Sequence, residues 1–285
     1  MTIGELLDLY QVHHLSAKVS NRYYVRLMCQ VFPPIEHYPV DQIPFHIMLD
    51  WWKGLWDRPS HANKALGLYR AAHRWAVGLG QINTPDQTAG LVKRPEQTRS
   101  QTTTPEEWAQ IVVFLEDVKL RHRVYFWSSY LLGSRPGEIR NMQTAHLSLE
   151  GECPCWTKPK TKNGRPHVVP IPQQLVPLLR LLKWANPPDA KFMFWGQHPG
   201  RVWGRTSAQK MWEGLRAKAG LKHLWLNDLR RSAASDLLNQ GENLGVVQGM
   251  LNHRSLSQTA KYAWLAISPL ATAMQERTDM IIRRI

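Results

Sequence analysis

Apolar residues recur every three or four positions along most of the chain, the spacing of helices with one buried face. Thr2-Ile3-Gly4-Glu5 sets a hydroxyl three residues before a glutamate, a capping box, and predicts a first helix to about His14. A second helix is expected over about 20–32, ended by Pro33-Pro34. A third carries FHIMLDWWKGLW, and a fourth runs over about 60–79. On the fourth, Leu66, Tyr69, Ala72, His73, Ala76 and Leu79 share one face, while Lys64, Arg70 and Arg74 fall on another. Trp51, Trp52 and Trp56 read as core aromatics rather than a stacking platform.

The pattern breaks between Asn83 and Thr104, where prolines, threonines and Lys93-Arg94 give the signature of a linker. TPEEW then opens a new helix, with Thr104 as N-cap, Pro105 in the first position and Glu107 in the third. The organisation expected is a domain over 1–82, a linker over 83–101 and a second domain over 102–285. That second domain reads as helices, then β segments at 146–149, 155–159 and 166–170, then helices. Asn163-Gly164 turns the last two strands into a hairpin. The fold class is therefore mainly α with a small antiparallel β-sheet: a four-helix N-terminal domain and an α+β C-terminal one.

Composition narrows the partner. The 285 residues are 43% hydrophobic and 20% charged, a globular composition. Lys and Arg number 36 against 22 Asp and Glu, a formal net charge of +14 that points to a polyanion, most often nucleic acid. Cys29, Cys153 and Cys155 are too few for a disulfide scaffold. Cys153 and Cys155 have no second pair at a zinc-site spacing, so neither a metal nor another cofactor is expected. No signal segment or membrane-length apolar run is evident, and a cytoplasmic protein is expected.

Four stretches of the second domain hold polar residues that packing does not explain. In LLGSRPGEIRNM, a helix ends at Gly133 and Arg135 stands on the turn before Pro136 starts another. The hairpin KTKNGRPHVVPI carries Lys162 just before its turn. LNDLRRSA opens a helix, capped by Asn227 or Asp228, with Arg230 at the edge of its apolar face. MLNHRSLSQTAKYAWL holds His253 and, nine positions on, Tyr262. Two arginines, a lysine, a histidine and a tyrosine suit phosphoryl transfer to a protein hydroxyl. Arginine forks hold the non-bridging oxygens of a phosphodiester and neutralise charge building at phosphorus. They also stabilise the phenolate of a tyrosine whose pKa is ordinarily near ~10. A lysine can protonate the departing 5′ oxygen.

In order and spacing these stretches resemble the phage-integrase family of tyrosine recombinases. GSRPGEI is similar to the family's first box, which makes Arg135 the first catalytic arginine and Glu138 its supporting acid. Thr161-Lys162-Asn163-Gly164 followed by VVPI resembles the hairpin lysine element. NDLRRS matches the second box, which makes Arg230 the second arginine; LNH gives His253, and TAKY gives Tyr262 as nucleophile. The resemblance covers nearly the whole chain, and the N-terminal part is similar to the family's SAM-like core-binding domain. The separate arm-binding domain of some members is expected to be absent.

Two positions depart from the family pattern. Asn227 stands where histidine is usual and Asn252 where glycine is usual. Asparagine can bond a phosphate oxygen but cannot take a proton from tyrosine. The acceptor is then water or a neighbouring group, His223 among the candidates. The resemblance further implies cleavage of double-stranded DNA through a 3′-phosphotyrosyl intermediate and a Holliday junction, without metal or ATP. Duplex would lie between the two domains, within a homotetramer coupled by the tail after Tyr262. A host bending protein or directionality factor is a possible partner. An integrase of a phage or mobile element is the reading favoured, with a Xer-like resolvase or a catalytically impaired DNA-binding accessory protein as alternatives. Lys64, Arg70, Arg74, Lys93, Arg94, Arg99, Arg165 and Arg205 are candidate phosphate contacts.

Overall fold

The structure, a computed structural model, describes residues 1–16, 21–96, 99–159, 161, 164 and 166–263, with 261–263 described for their backbone only. The chain divides into two compact units, Met1–Arg99 and Ser100–Ile285.

The first unit is built on α1 (Ile3–Tyr10), α2 (Asn21–Val31), α3 (Phe45–Gly54) and α4 (Pro59–Gly78). Its capping box is formed: the Glu5 N–H donates to Thr2 Oγ1 at 3.2 Å and the Thr2 N–H to Glu5 Oε2 at 2.8 Å. Leu6, Leu27, Phe32, Met48, Leu66 and Tyr69 form its core, joined by Trp51 and Trp52. Trp56 and Leu79, expected inside, are 73% and 57% exposed. Both lie just past the ends of α3 and α4, where the chain leaves the buried helix face.

The stretch expected as a linker is folded onto this unit as far as Glu96. Leu91 enters the core and Arg94 is 9% exposed. The Asn63 amide donates to the Arg94 carbonyl at 2.8 Å, and its oxygen accepts from the Arg94 N–H at 2.8 Å. Arg70 donates to Thr88 Oγ1 at 3.0 Å and to the Leu91 carbonyl at 2.8 Å. A polar composition thus marks a segment whose main chain is bonded by side chains, not one left in solvent.

The second unit opens with α5 (Pro105–Leu115), capped as expected: the Glu107 N–H donates to Thr104 Oγ1 at 3.2 Å and the Thr104 N–H to Glu107 Oε2 at 2.9 Å. α6 (Leu120–Leu131) and the short α7 (Pro136–Arg140) follow. The antiparallel sheet then runs β1 (Leu147–Ser148), β2 (Cys155–Lys158), β3 (His167–Pro170), in that order, with β2 central. Trp156 lies opposite Leu147 on one side and Val169 on the other. α8 (Val176–Ala185), α9 (Arg205–Lys218), α10 (Leu226–Asn239), α11 (Leu244–Leu251) and α12 (Leu256–Ala263) complete the unit. One core draws on Trp108, Phe126, Trp156, Leu179, Phe194 and Trp212, from the sheet and the helices together. Among the described residues no helix is long and apolar enough to cross a membrane.

Candidate active site

Arg230 is 7% exposed, on the first turns of α10. Burying a guanidinium is costly unless its donors are met. Here Nη1 donates to the Gly133 carbonyl at 2.9 Å and Nη2 to the Leu251 carbonyl at 2.8 Å. Both acceptors are helix ends. Gly133 turns the chain out of α6 at φ +56°, a left-handed conformation that favours glycine, and an added Cβ would also push the flexible Met250 methyl, 2.8 Å away, aside. Asp228 completes the local frame: it accepts from the Trp225 N–H at 2.7 Å and pairs with Arg231. Asp228 thus serves the helix start from its third position, and Asn227 is left exposed.

Arg230 Nη2 lies 3.2 Å from His253 Nε2, and His253 Nδ1 lies 2.9 Å from Thr259 Oγ1. Because arginine only donates, Nε2 is the acceptor and the ring proton sits on Nδ1, donated to Thr259. Burial, then the charges of Arg230 and Arg135, push the His253 pKa down to about 4. The ring is therefore neutral at neutral pH.

Arg135 precedes α7, and its side chain is 34% exposed. Nη1 donates to Glu138 Oε1 at 2.7 Å, so one side of the guanidinium is held. Glu138 Oε2 accepts from Lys158 Nζ at 2.9 Å. Burial raises the Glu138 carboxyl, but Lys158 and Arg135 outweigh it and hold the group below its ordinary range. Arg135 opens on a groove of about 500 Å³ that Glu138, Arg140, Arg205, Leu226 and Asn227 also line. Arg135, Arg205 and Asn227, expected from sequence to face phosphate, thus line one groove, and Arg230 meets His253 through a direct contact.

Some expected contacts take other roles. Arg94 is stacked on Trp52, its guanidinium carbon 4.5 Å from the ring centroid, and donates to the Trp52 carbonyl. Arg70 is bonded to Thr88 and Leu91 and lies 3.7 Å from Asp86. Both are tied into the first unit, Arg70 through Thr88 and Leu91, and Arg94 through the Trp52 carbonyl and ring, with its Nε and Nη1 buried but not hydrogen-bonded. His223 is paired with Glu107 Oε1 at 2.9 Å. Lys64, Arg74 and Lys93 are exposed and Arg99 is half-buried. Lys162, Arg165, the Tyr262 side chain and the tail beyond 263 lie outside the described residues. Among the described residues no group of three His, Cys, Asp or Glu side chains is placed to hold a metal ion.

Sequence reasoning missed Lys158 and Arg140. Lys158 is 6% exposed in β2. Strand alternation carried the signal, since Lys158 falls two residues from Trp156 and so shares its buried face. Arg140 borders the groove and donates to the Trp203 carbonyl at 2.6 Å.

The description "Phage integrase family" matches residues 101–267, more than half of the chain. A tyrosine recombinase of Thermosipho africanus is 28% identical over 180 residues, 63% of this chain and 59% of that protein. The tyrosine recombinase XerA of Pyrococcus furiosus is 26% identical over 201 residues, 69% of this chain and 68% of its own length. Among solved structures, the Tn1549 transposon integrase in complex with transposon right end DNA superposes with a TM-score of 0.79 at 17% identity, over 97% of this chain and 99% of that one. A lambda integrase tetramer bound to a Holliday junction gives 0.75 at 16% identity, over 92% and 77%.

Proposed function

The chain belongs to the phage integrase family of tyrosine recombinases, and from that premise we propose that it cuts and rejoins duplex DNA at specific sites with Tyr262 as nucleophile. The observation that carries this reading is the arginine pair. Arg230 is held by the carbonyls of Gly133 and Leu251, and Arg135 stands at a groove with Asn227 and Arg205. A guanidinium that keeps its proton and is fixed in place suits the charge that builds on a phosphodiester's non-bridging oxygens.

Tyr262 Oη attacks phosphorus, the Oη–P bond forms and the P–O5′ bond breaks, leaving a 3′-phosphotyrosyl end. Lys162 gives its proton to the 5′ oxygen, which departs as a hydroxyl. Water takes the tyrosine proton, since Asn227 has no basic site and neutral His253 bonds Arg230 and Thr259 with its two ring nitrogens. The 5′-hydroxyl of a partner duplex then gives its proton to the now neutral Lys162 and attacks phosphorus. The P–O5′ bond forms, the P–Oη bond breaks, and Tyr262 leaves and regains its proton from water. A first exchange gives a Holliday junction and a second gives recombinants. Bond energy is retained in the phosphotyrosine, so the scheme calls for no ATP. The arginines supply the charge neutralisation a metal would otherwise provide.

The family membership, the net charge of +14 and the DNA-bound neighbours support double-stranded DNA as partner. The lambda integrase tetramer bound to a Holliday junction supports a tetramer on DNA; action in the cytoplasm and a bending protein or directionality factor as further partners belong to the same reading. An integrase of a phage or other mobile element is the role proposed. Similarity to XerA favours a resolvase as the second reading, and Asn227 favours an accessory protein with impaired catalysis.

Nicked duplexes of randomised sequence, selected for covalent attachment to the protein, test the reaction and recover the site together. Adduct that disappears in Tyr262→Phe is the expected result. Tight binding with no adduct across the selection would leave only the accessory reading. Asn227→His is expected to keep or raise adduct formation. A loss there would mean that the groove is tuned around asparagine.

A further inference from the structure

Lysine is among the residues least often buried, and Lys158 is 6% exposed on the central strand of the sheet. Nζ donates to Ser134 Oγ at 3.0 Å and to Glu138 Oε2 at 2.9 Å, and lies 4.6 Å from the centroid of the Trp156 ring. The ammonium is therefore met by a hydroxyl, a carboxylate and an aromatic face. Ser134 and Glu138 bracket Arg135 in sequence. The lysine thus ties the sheet to the turn that carries the first arginine.

The charges explain what the tie does. Glu138 uses Oε1 on Arg135 and Oε2 on Lys158. Without Lys158 the carboxylate, only 19% exposed, would face Arg135 alone. It would then compete directly with an incoming phosphate for the guanidinium, in surroundings where screening is weak. With Lys158 in place the carboxylate is shared between two cations and orients Arg135 through one oxygen. Burial lowers the Lys158 pKa while Glu138 opposes it, as expected of an ammonium kept charged by a single carboxylate.

Resting on the reading of Arg135 as a phosphate-holding residue, we infer that Lys158 is a positioning residue for strand cleavage. It neutralises Glu138, so that Arg135 presents its free N–H groups to the scissile phosphate. Buried as it is, Lys158 acts through Glu138 and Arg135, whereas Lys162 is the lysine assigned to the leaving oxygen.

The test uses the full chain, the nicked duplex recovered by adduct selection, and the variants Lys158→Met, Glu138→Gln and the double variant. Lys158→Met is expected to slow adduct formation about 100-fold, the scale of a small misplacement of a reacting group, while duplex affinity stays within about threefold, because the lysine itself meets no phosphate. Adding Glu138→Gln removes the uncompensated charge and is expected to restore at least about tenfold of that rate. A packing defect alone would not be rescued in this way. Urea midpoints read the same pair without catalysis: Lys158→Met should lower the midpoint and the double variant should recover at least about half of the loss. Wild-type cleavage in Lys158→Met would overturn the role, as would absence of rescue in both assays. Failure of the wild-type chain to form adduct would instead strike the recombinase reading on which the role depends.

Discussion

At Asn252 the chain turns through φ +50° and ψ +53° to end α11. That left-handed conformation is one glycine adopts freely and asparagine tolerates better than most residues. The departure from the family's glycine is thus backbone-compatible, and the turn delivers His253 to Arg230 as glycine would. Asparagine is legible in sequence as a residue that tolerates this turn; the histidine's chemistry is not, because it depends on the buried arginine beside it. A histidine in the unfolded chain takes its proton near 6.5, whereas folded His253 takes it only at about 4. Between those values the unfolded state binds more protons, so acid favours unfolding. The contribution of this residue is complete above about 6.5 and is lost as pH falls toward 4. His122, also pushed to about 4 by burial, acts in the same direction. We predict that the urea midpoint of the wild type falls over this range more steeply than that of His253→Gln. Cleavage between about pH 5.5 and 8 should carry no inflection from His253, since the ring stays neutral throughout. A break near 6.5 that vanishes in His253→Gln would overturn that assignment.

At the scale of elements, the features read correctly are those set by local rules. The capping boxes at Thr2 and Thr104, the helix restart at Pro136 and the antiparallel strands around Trp156 each follow from a few neighbouring residues. What sequence does not show rests on tertiary contacts that no short window contains. Arg94 looks like a solvated linker cation, yet Asn63, 31 residues away, bonds its main chain and Trp52 covers its guanidinium. Arg70 shares a helix flank with exposed Lys64 and Arg74, but the returning chain spends its donors on Thr88 and Leu91. Arg94→Met should therefore destabilise the first unit by about 2 kcal/mol, the scale of breaking hydrogen bonds to a buried charged group. Its effect on the salt dependence of DNA binding should be negligible. Urea unfolding of the variant, set beside duplex binding at several salt concentrations, separates the two. A stable variant with a shallower salt dependence would return Arg94 to the list of phosphate contacts.

Across the whole molecule the +14 charge is the property that sequence states most directly, and its use is the least local. Part of it is internal: Arg70, Arg94 and Lys158 each bond the protein's own carbonyls, hydroxyls or Glu138. What remains for DNA is the exposed share, including Arg205 at the groove and Lys64, Arg74 and Lys93 on the first unit. If these meet phosphates, binding releases condensed counterions, and affinity should fall about 1,000-fold or more between roughly 50 and 200 mM salt. Each phosphate contact removed should then lower the slope of log affinity against log salt by about one. Arg205→Ala is expected to do this, because its guanidinium borders the groove. Arg230→Ala is expected to lose adduct formation, with the slope reduced by the single scissile phosphate at most. Fluorescence anisotropy of a labelled duplex over a salt series reads both slopes. A response that is flat in the wild type would mean that the surplus charge solubilises the protein rather than gripping DNA.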